Sequence, residues 1–108
     1  MTSTAWSVAL ERFVAEIRSL YGPRLQQIIL FGSCARMAPD LGSDIDTLIV
    51  LNQSAGFWTE FRRISPVASR VSLEHDVVIS AFPVDQEEIR QPRKPLLINA
   101  LREGVRVG

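Results

Sequence analysis

Residues 29–50 read ILFGSCARMAPDLGSDIDTLIV, and this stretch decides the fold. Its first letters, ILF, and its last, TLIV, are apolar runs typical of buried β-strands. Gly32 and Ser33 end the first run, and Asp44 and Asp46 open the second. The stretch therefore predicts two strands, with a glycine-serine turn after one and two carboxylates at the mouth of the other.

The composition is that of an ordinary globular domain: 108 residues, 46% of them apolar and 22% charged. Lysine plus arginine equals aspartate plus glutamate at 12 each, so the basic excess that accompanies direct nucleic-acid binding is missing. Cys34 is the only cysteine, which excludes an internal disulfide. No apolar run reaches the roughly 20 residues of a membrane span, and the N-terminus lacks the pattern of a secretion signal. We expect a soluble, cytoplasmic single domain over residues 1–108.

The spacing of apolar residues and the turn signals predict the other elements. The expected order is a helix over 4–21, a strand over 25–31, a helical turn at 35–37, a strand over 46–51, a helical segment over 57–72, a strand over 75–82, a polar connection over 83–95, a helix over 96–102, and 105–107 as a short edge strand. Pro66 is expected to split the segment over 57–72, with Ser65 capping its second half. The pattern predicts an α+β fold.

The two carboxylates suggest a metal site. Asp44 and Asp46 lie two apart in a strand, so they share a face, and they repel each other unless something positive lies between them. Mg²⁺ prefers such oxygen ligands together with substrate phosphates, although both aspartates alternatively cap the loop and strand in solvent. Asp76 is expected to open the third strand and to reach the same space if the two strands are neighbours. Glu74 is a competing candidate on that face.

The turn before them suggests a phosphate site. Gly32 permits close approach of the backbone, and a helix beginning after Ser33 would present free N–H groups to phosphate oxygens. Arg36 either neutralises phosphate charge or forms a structural ion pair. His75 is expected to point away from Asp76. For Phe57 and Trp58, core packing is favoured over stacking on adenine or presenting a contact surface.

Gly32-Ser33, ten intervening residues, and Asp44-Ile45-Asp46 together resemble the signature of the polymerase-beta-like nucleotidyltransferase superfamily. Within it the chain is similar to the minimal nucleotidyltransferases, small proteins often paired with a helical HEPN-type toxin. The wider stretch over 30–50 fits that group's pattern without a gap, and the closing PLLINALREGVRV is similar to the usual end of such chains.

The resemblance implies a mixed central sheet flanked by helices, two Mg²⁺ ions and ATP as substrate. Asp44 and Asp46 would bind both metal ions, and Asp76 would complete one metal site and help to deprotonate the acceptor. Gly32 and Ser33 would hold the triphosphate. Members that act as antitoxins transfer AMP to a tyrosine of the partner toxin and release pyrophosphate.

Three positions depart from the family pattern: Cys34, Met37 and Thr47. None of them removes a predicted metal ligand. Three functions follow as hypotheses: an adenylylating antitoxin, a catalytically weak antitoxin that blocks its partner by binding alone, and a small-molecule nucleotidyltransferase similar to aminoglycoside-modifying enzymes. The third would need a second substrate-binding lobe, which a dimer would have to supply.

Overall fold

The computed structural model describes residues 5–32 and 44–108. Along the chain the elements are helix α1 (Ala5–Tyr21), a 3₁₀ turn (Gly22–Arg24), strand β1 (Leu25–Phe31), strand β2 (Asp44–Leu51), helix α2 (Phe57–His75), strand β3 (Val78–Asp85), helix α3 (Gln86–Arg90), helix α4 (Pro95–Glu103) and strand β4 (Val105–Arg106). The predicted helical turn at 35–37 lies outside the described residues. None of the helices within these two ranges is long and apolar enough to cross a membrane.

The described strands form one mixed sheet in the order β3-β2-β1-β4. β1 is antiparallel to both β2 and β4, whereas β2 and β3 are parallel. A parallel pair requires a crossover connection, and α2 provides it between β2 and β3. The predicted α+β fold, with a mixed central sheet flanked by helices, is confirmed.

The sheet is apolar on both faces because successive side chains of each strand point to opposite sides. One face packs against α1 and α2, where Phe13, Ile17, Ile64 and Val71 are fully buried; we call this cluster the major core. The other face packs against α4 in a smaller cluster, the minor core, which consists of Ile29, Phe31, Leu48, Val50, Val84, Leu97 and Ala100. The strands are therefore held from both sides.

Helix α2 is continuous, so the predicted split at Pro66 is wrong. Proline lacks the N–H that would bond one turn back, but Pro66 lies on the exposed side of the helix, where water can satisfy the freed carbonyl. Ile64 and Val71, before and after the proline, are both fully buried in the major core. Burial of the helix on either side of Pro66 outweighs the lost hydrogen bond.

Strand β3 begins at Val78, three residues later than predicted, because α2 continues through His75. The Ser72 carbonyl accepts the N–H groups of both Asp76 and Val77, and Asp76 ends the helix in the left-handed conformation at φ 54°. The Ser72 hydroxyl then accepts the N–H of Ile79 at 3.0 Å. This one residue joins the end of α2 to the start of β3. Asp76 therefore precedes the strand instead of opening it.

Helix α3 occupies part of the stretch that was predicted to be a connection. Its start is a capping box: the Asp85 side chain accepts from the helix N-terminus, and Glu88 accepts the Asp85 N–H at 3.0 Å. An aspartate followed three residues later by a glutamate is a recognisable sequence signal for a helix start.

A buried carboxylate holds the far end of the sheet. Glu60 is fully buried, and it accepts hydrogen bonds from Tyr21 Oη at 3.0 Å, Arg24 Nη2 at 2.7 Å and the Ala55 N–H at 3.0 Å. Burial alone would raise the pKa of Glu60, but the Ala55 N–H and the Arg24 guanidinium lower it overall. The network joins α1, the 3₁₀ turn and α2 at the end of β2 remote from Asp44.

We expect Glu60→Gln to lower the free energy of unfolding by about 3 kcal/mol, because the change leaves buried and half-buried donors without their charged acceptor. Urea unfolding followed by circular dichroism measures it. Glu87→Gln is the matched control, since the Glu87–Arg90 ion pair is about two-thirds exposed on both sides and should contribute less than about 1 kcal/mol. Equal effects of the two substitutions would contradict a stabilising role for this network.

Candidate active site

The two aspartates that open β2 lie on one face of the sheet. Asp44 and Asp46 point to the same side as Leu48 and Val50 of the minor core, while Ile45 between them is buried in the major core. Asp44 is exposed and Asp46 is half-buried. The strand therefore presents two carboxylates side by side just beyond the apolar part of its own face.

The register of the sheet determines what surrounds Asp46. Its partner in β1 is Phe31 and its partner in β3 is Ser80. Gly32 follows Phe31 directly, so the predicted glycine turn does lie beside the predicted acidic pair. The sequence motif predicted that these residues lie together. They do so because β1 pairs antiparallel with β2, which brings the end of β1 beside the start of β2.

Gly32 is required at its position for two reasons. Its φ of 76° is in the region that side-chain-bearing residues rarely adopt. A Cβ added at Gly32 would also lie 2.6 Å from Asp46 Oδ2, which is closer than such atoms can approach. The absence of a side chain thus leaves the Asp46 carboxylate in direct contact with the turn.

Asp46 lies above apolar neighbours. The rings of Phe31 and Phe82 are 6.1 Å apart between centroids, and Phe82 pairs in register with Leu48 below Asp46. Burial raises the pKa of Asp46, and the negative charge of Asp44 raises it further. Both effects disfavour a second negative charge at this place, and a bound cation would relieve both. The oxygen donors of the pair are the kind that Mg²⁺ prefers.

Ser80 is a neighbour of the acidic pair to which sequence analysis gave no role. Its hydroxyl donates to Asp44 Oδ2 at 3.3 Å, and its carbonyl accepts from Thr47 Oγ1 at 3.1 Å. The alternation of side chains in the third strand could have identified Ser80. If the second and third strands are parallel neighbours, that alternation places Ser80 on the same face as the acidic pair.

The structure does not bring Asp76 into a strand beside the pair. Asp76 is an exposed residue at the end of α2, and the described parts of the chain contain no group of three His, Cys, Asp or Glu side chains placed to hold one metal ion. Its role as a third ligand stays a prediction. The competing candidate Glu74 is a helical residue that accepts from Arg70 Nη1 at 3.4 Å, and His75 is the last residue of α2.

Two predicted phosphate-binding residues, Ser33 and Arg36, lie outside the described residues, as do Cys34 and Met37. Their roles stay predictions. Thr47, the third departure from the family pattern, is fully buried and bonds across to β3. The chain uses this threonine to join the strand that carries the aspartates to the strand that carries Ser80.

The aromatic residues at the start of α2 are not in the core, so the prediction of core packing is wrong for them. Trp58 is 67% exposed and Phe57 44% exposed, and both rings contact Phe61. They lie just after the end of β2, whereas the two aspartates lie at its beginning. The length of an eight-residue strand, roughly 25 Å, therefore separates them from the acidic pair.

A cleft of about 640 Å³ runs between α2 and β3. Phe61 and Ala68 line it on the helix side, and Asp76, Ser80 and Phe82 lie along the strand side. Most of its wall is apolar or carries small side chains. Ser80 lines this cleft and also donates to Asp44.

The chain matches a known protein family over most of its length. The family described as "Nucleotidyltransferase domain" matches residues 10–105. Among curated proteins, one of Methanocaldococcus jannaschii, named "putative protein adenylyltransferase", is 37% identical over 71 residues, which are 66% of this chain and 71% of that protein. The residues that match the family include the acidic pair.

Solved structures share the fold. A chain of a toxin–antitoxin crystal structure with AMP-PNP superposes with a TM-score of 0.63 at 21% identity, over 89% of this chain and 70% of that one. A protein described as a "putative minimal nucleotidyltransferase" superposes with a TM-score of 0.59 at 18% identity, over 97% of each chain. The predicted polymerase-beta-like architecture is confirmed, and the chain belongs to the nucleotidyltransferase domain family.

Proposed function

We propose that this nucleotidyltransferase depends on Mg²⁺, transfers AMP from ATP to a tyrosine hydroxyl of a HEPN-type toxin, and thereby acts as an antitoxin in the cytoplasm. The observation that carries the proposal is the paired carboxylates of Asp44 and Asp46 at the end of a strand, next to a glycine turn. The relative named as a protein adenylyltransferase and the fold shared with a chain of a toxin–antitoxin structure support the protein acceptor.

The residues present fit a divalent metal. Asp44 and Asp46 offer oxygen ligands on one face, and the raised pKa of Asp46 reflects burial and like charge, both of which a cation would offset. These two carboxylates would hold the predicted pair of Mg²⁺ ions. When bound, such ions neutralise phosphate charge and stabilise the attacking and leaving oxygens of an in-line displacement.

The remaining groups bind and orient. Gly32 lets the Asp46 carboxylate lie directly against the turn, and Gly32, Ser33 and Arg36 are predicted to contact the triphosphate. In the transfer, the acceptor hydroxyl oxygen bonds to the α-phosphorus, the bond from that phosphorus to pyrophosphate breaks, and the hydroxyl proton passes to a base. Asp76 is the predicted proton acceptor.

The acceptor side of the site suits a macromolecule. The cleft between α2 and β3 is lined by Asp76 and by Ser80, which donates to Asp44. An aromatic side chain with a terminal hydroxyl matches a cleft whose walls are apolar and whose end is acidic. The proposal includes assembly of the enzyme, either with its acceptor as a hetero-oligomer or with a second copy of this chain.

The acidic pair tests the function. With radiolabelled ATP, Mg²⁺ and the proposed HEPN-type partner toxin, we expect AMP incorporation into the toxin, and we expect Asp44→Asn combined with Asp46→Asn to lower it about 1,000-fold or more. Intact-mass spectrometry of the toxin measures the modification. Unchanged modification by the double variant would contradict the mechanism.

The same variants separate the alternatives. A double variant that no longer modifies the toxin but still neutralises it in cells would favour inhibition by binding alone. Turnover of ATP with small hydroxylated acceptors, in the absence of any toxin, would favour the small-molecule enzyme. Neither result is expected if modification is the cause of neutralisation.

Gly32 gives a second test. We expect Gly32→Ala to lower AMP transfer about 100-fold, because a Cβ would displace the Asp46 carboxylate that it meets at 2.6 Å. Gly22→Ala is the matched control: Gly22 also has positive φ, at 55°, but a Cβ there meets nothing within 4 Å. Both variants should lose about 1–2 kcal/mol of stability, and only Gly32→Ala should lose activity. Equal activities of the two variants would contradict a site at this turn.

Asp76 is tested by Asp76→Asn. Asparagine tolerates the left-handed conformation found at this position, so the fold should be kept. If Asp76 completes the metal site, AMP transfer should fall about 100-fold while the melting temperature stays within 2 °C, roughly the size of a minor surface change. Activity within twofold of the native protein would show that the residue only ends α2.

A further inference from the structure

We propose that Ser80 is a positioning residue that holds Asp44 in the orientation needed to bind metal. The inference rests on the proposed function and extends it to a residue outside the carboxylate signature. Ser80 lies in β3, on a strand that the Gly-Ser and Asp-x-Asp motif does not include.

The register places Ser80 beside both aspartates. Ser80 pairs with Asp46, its side chain is on the same face, and its hydroxyl donates to Asp44 Oδ2 at 3.3 Å. The residue opposite Asp46 therefore also holds Asp44 by a hydrogen bond across the strands.

Ser80 is itself firmly held. Thr47 Oγ1 donates to its carbonyl at 3.1 Å from the buried side of β2, and Thr47 is fully buried. The neighbours of Ser80 along β3, Ile79 and Ala81, are buried in the major core. A donor on a rigid strand orients a carboxylate better than a donor on a loop, because its own position varies little.

Asp44 is exposed, and the bond from Ser80 restricts its side chain. A solvent-facing carboxylate samples several rotamers, and repulsion from Asp46 favours those that turn away from the pair. A bond to Oδ2 holds Asp44 toward the pair and leaves the other oxygen for a cation. Outer partners of this kind orient metal ligands, and their loss commonly weakens metal affinity by about 10- to 100-fold.

The position of Asp76 also supports a positioning role for Ser80. Asp76 precedes β3 and has no register partner in β2, whereas Ser80 is the β3 residue opposite Asp46. Within the described part of β3, the polar group opposite the acidic pair is thus the Ser80 hydroxyl. It supports the pair without adding a third negative charge.

The test compares Ser80→Thr with Ser80→Val, two side chains of the same shape that differ by the hydroxyl and that both suit a strand. The probe is Mn²⁺, alone and with AMP-PNP, and binding is followed by electron paramagnetic resonance. We expect Ser80→Thr to bind Mn²⁺ within about twofold of the native protein and Ser80→Val to bind it about tenfold more weakly. Ser19→Ala, at an exposed serine of α1 outside the site, is the control and should match the native protein.

AMP transfer supplies a second readout. For Ser80→Val we expect the Mg²⁺ concentration at half-maximal rate to rise about tenfold, in step with the weaker Mn²⁺ binding. Equal Mn²⁺ affinities of the Thr and Val variants, with both folded by circular dichroism, would overturn the proposal. If either variant does not fold, Ser80→Ala takes its place, and native Mn²⁺ affinity in that variant would overturn the proposal equally.

A failure of this inference can be told from a failure of the proposed function. If Asp44→Asn abolishes Mn²⁺ binding and AMP transfer while Ser80→Val leaves both unchanged, the function stands and the role of Ser80 is wrong. If Asp44→Asn leaves both unchanged, the metal site itself is wrong, and the role of Ser80 is overturned with it.

Discussion

The site depends on the pairing of β2 with its two neighbours. Asp46 is opposite Phe31 on one side and Ser80 on the other, and these two pairings bring a glycine turn and a serine hydroxyl to one pair of carboxylates. Side chains alternate across a strand, so a slip of one residue would turn both aspartates into the major core. Ile45 and Ile49 of β2 are fully buried in the major core. A slip would bring charged carboxylates into that core in place of apolar side chains, and this cost fixes the register.

The contacts that stabilise the fold lie mostly away from the acidic pair. The major core joins the sheet to α1 and α2, and the Glu60 network joins the same helices at the far end of β2. The minor core is smaller, and the acidic pair lies at its margin, above Phe31 and Phe82. The strand end that carries the aspartates therefore need not contribute to stability, and it can keep two repelling carboxylates because the rest of the sheet is held elsewhere.

The end of α2 differs from the structure that the sequence pattern predicts there. The stretch over 75–82 has the alternation of a strand, yet its first three residues end a helix and turn. Ser72 accounts for the difference, since its carbonyl accepts two N–H groups after the helix and its hydroxyl accepts that of Ile79. Local hydrogen bonds accepted by the main chain and side chain of Ser72 outweigh the strand pattern of His75 and Asp76, and Asp76 ends the helix instead of opening the strand.

The amino-acid sequence by itself determined the helix before the first strand, the first two strands, the glycine beside the acidic pair and the family, since each depends on residues close together in the chain. Periodicity and turn chemistry act over such short distances and can be read directly. Only the tertiary structure decided that α2 runs unbroken past Pro66, that Glu60 is a buried acceptor, that Phe57 and Trp58 are exposed, and that Ser80 rather than Asp76 is opposite Asp46. Each of these depends on the register between β2 and β3 or on burial between distant segments, and 26 residues separate the end of one strand from the start of the other.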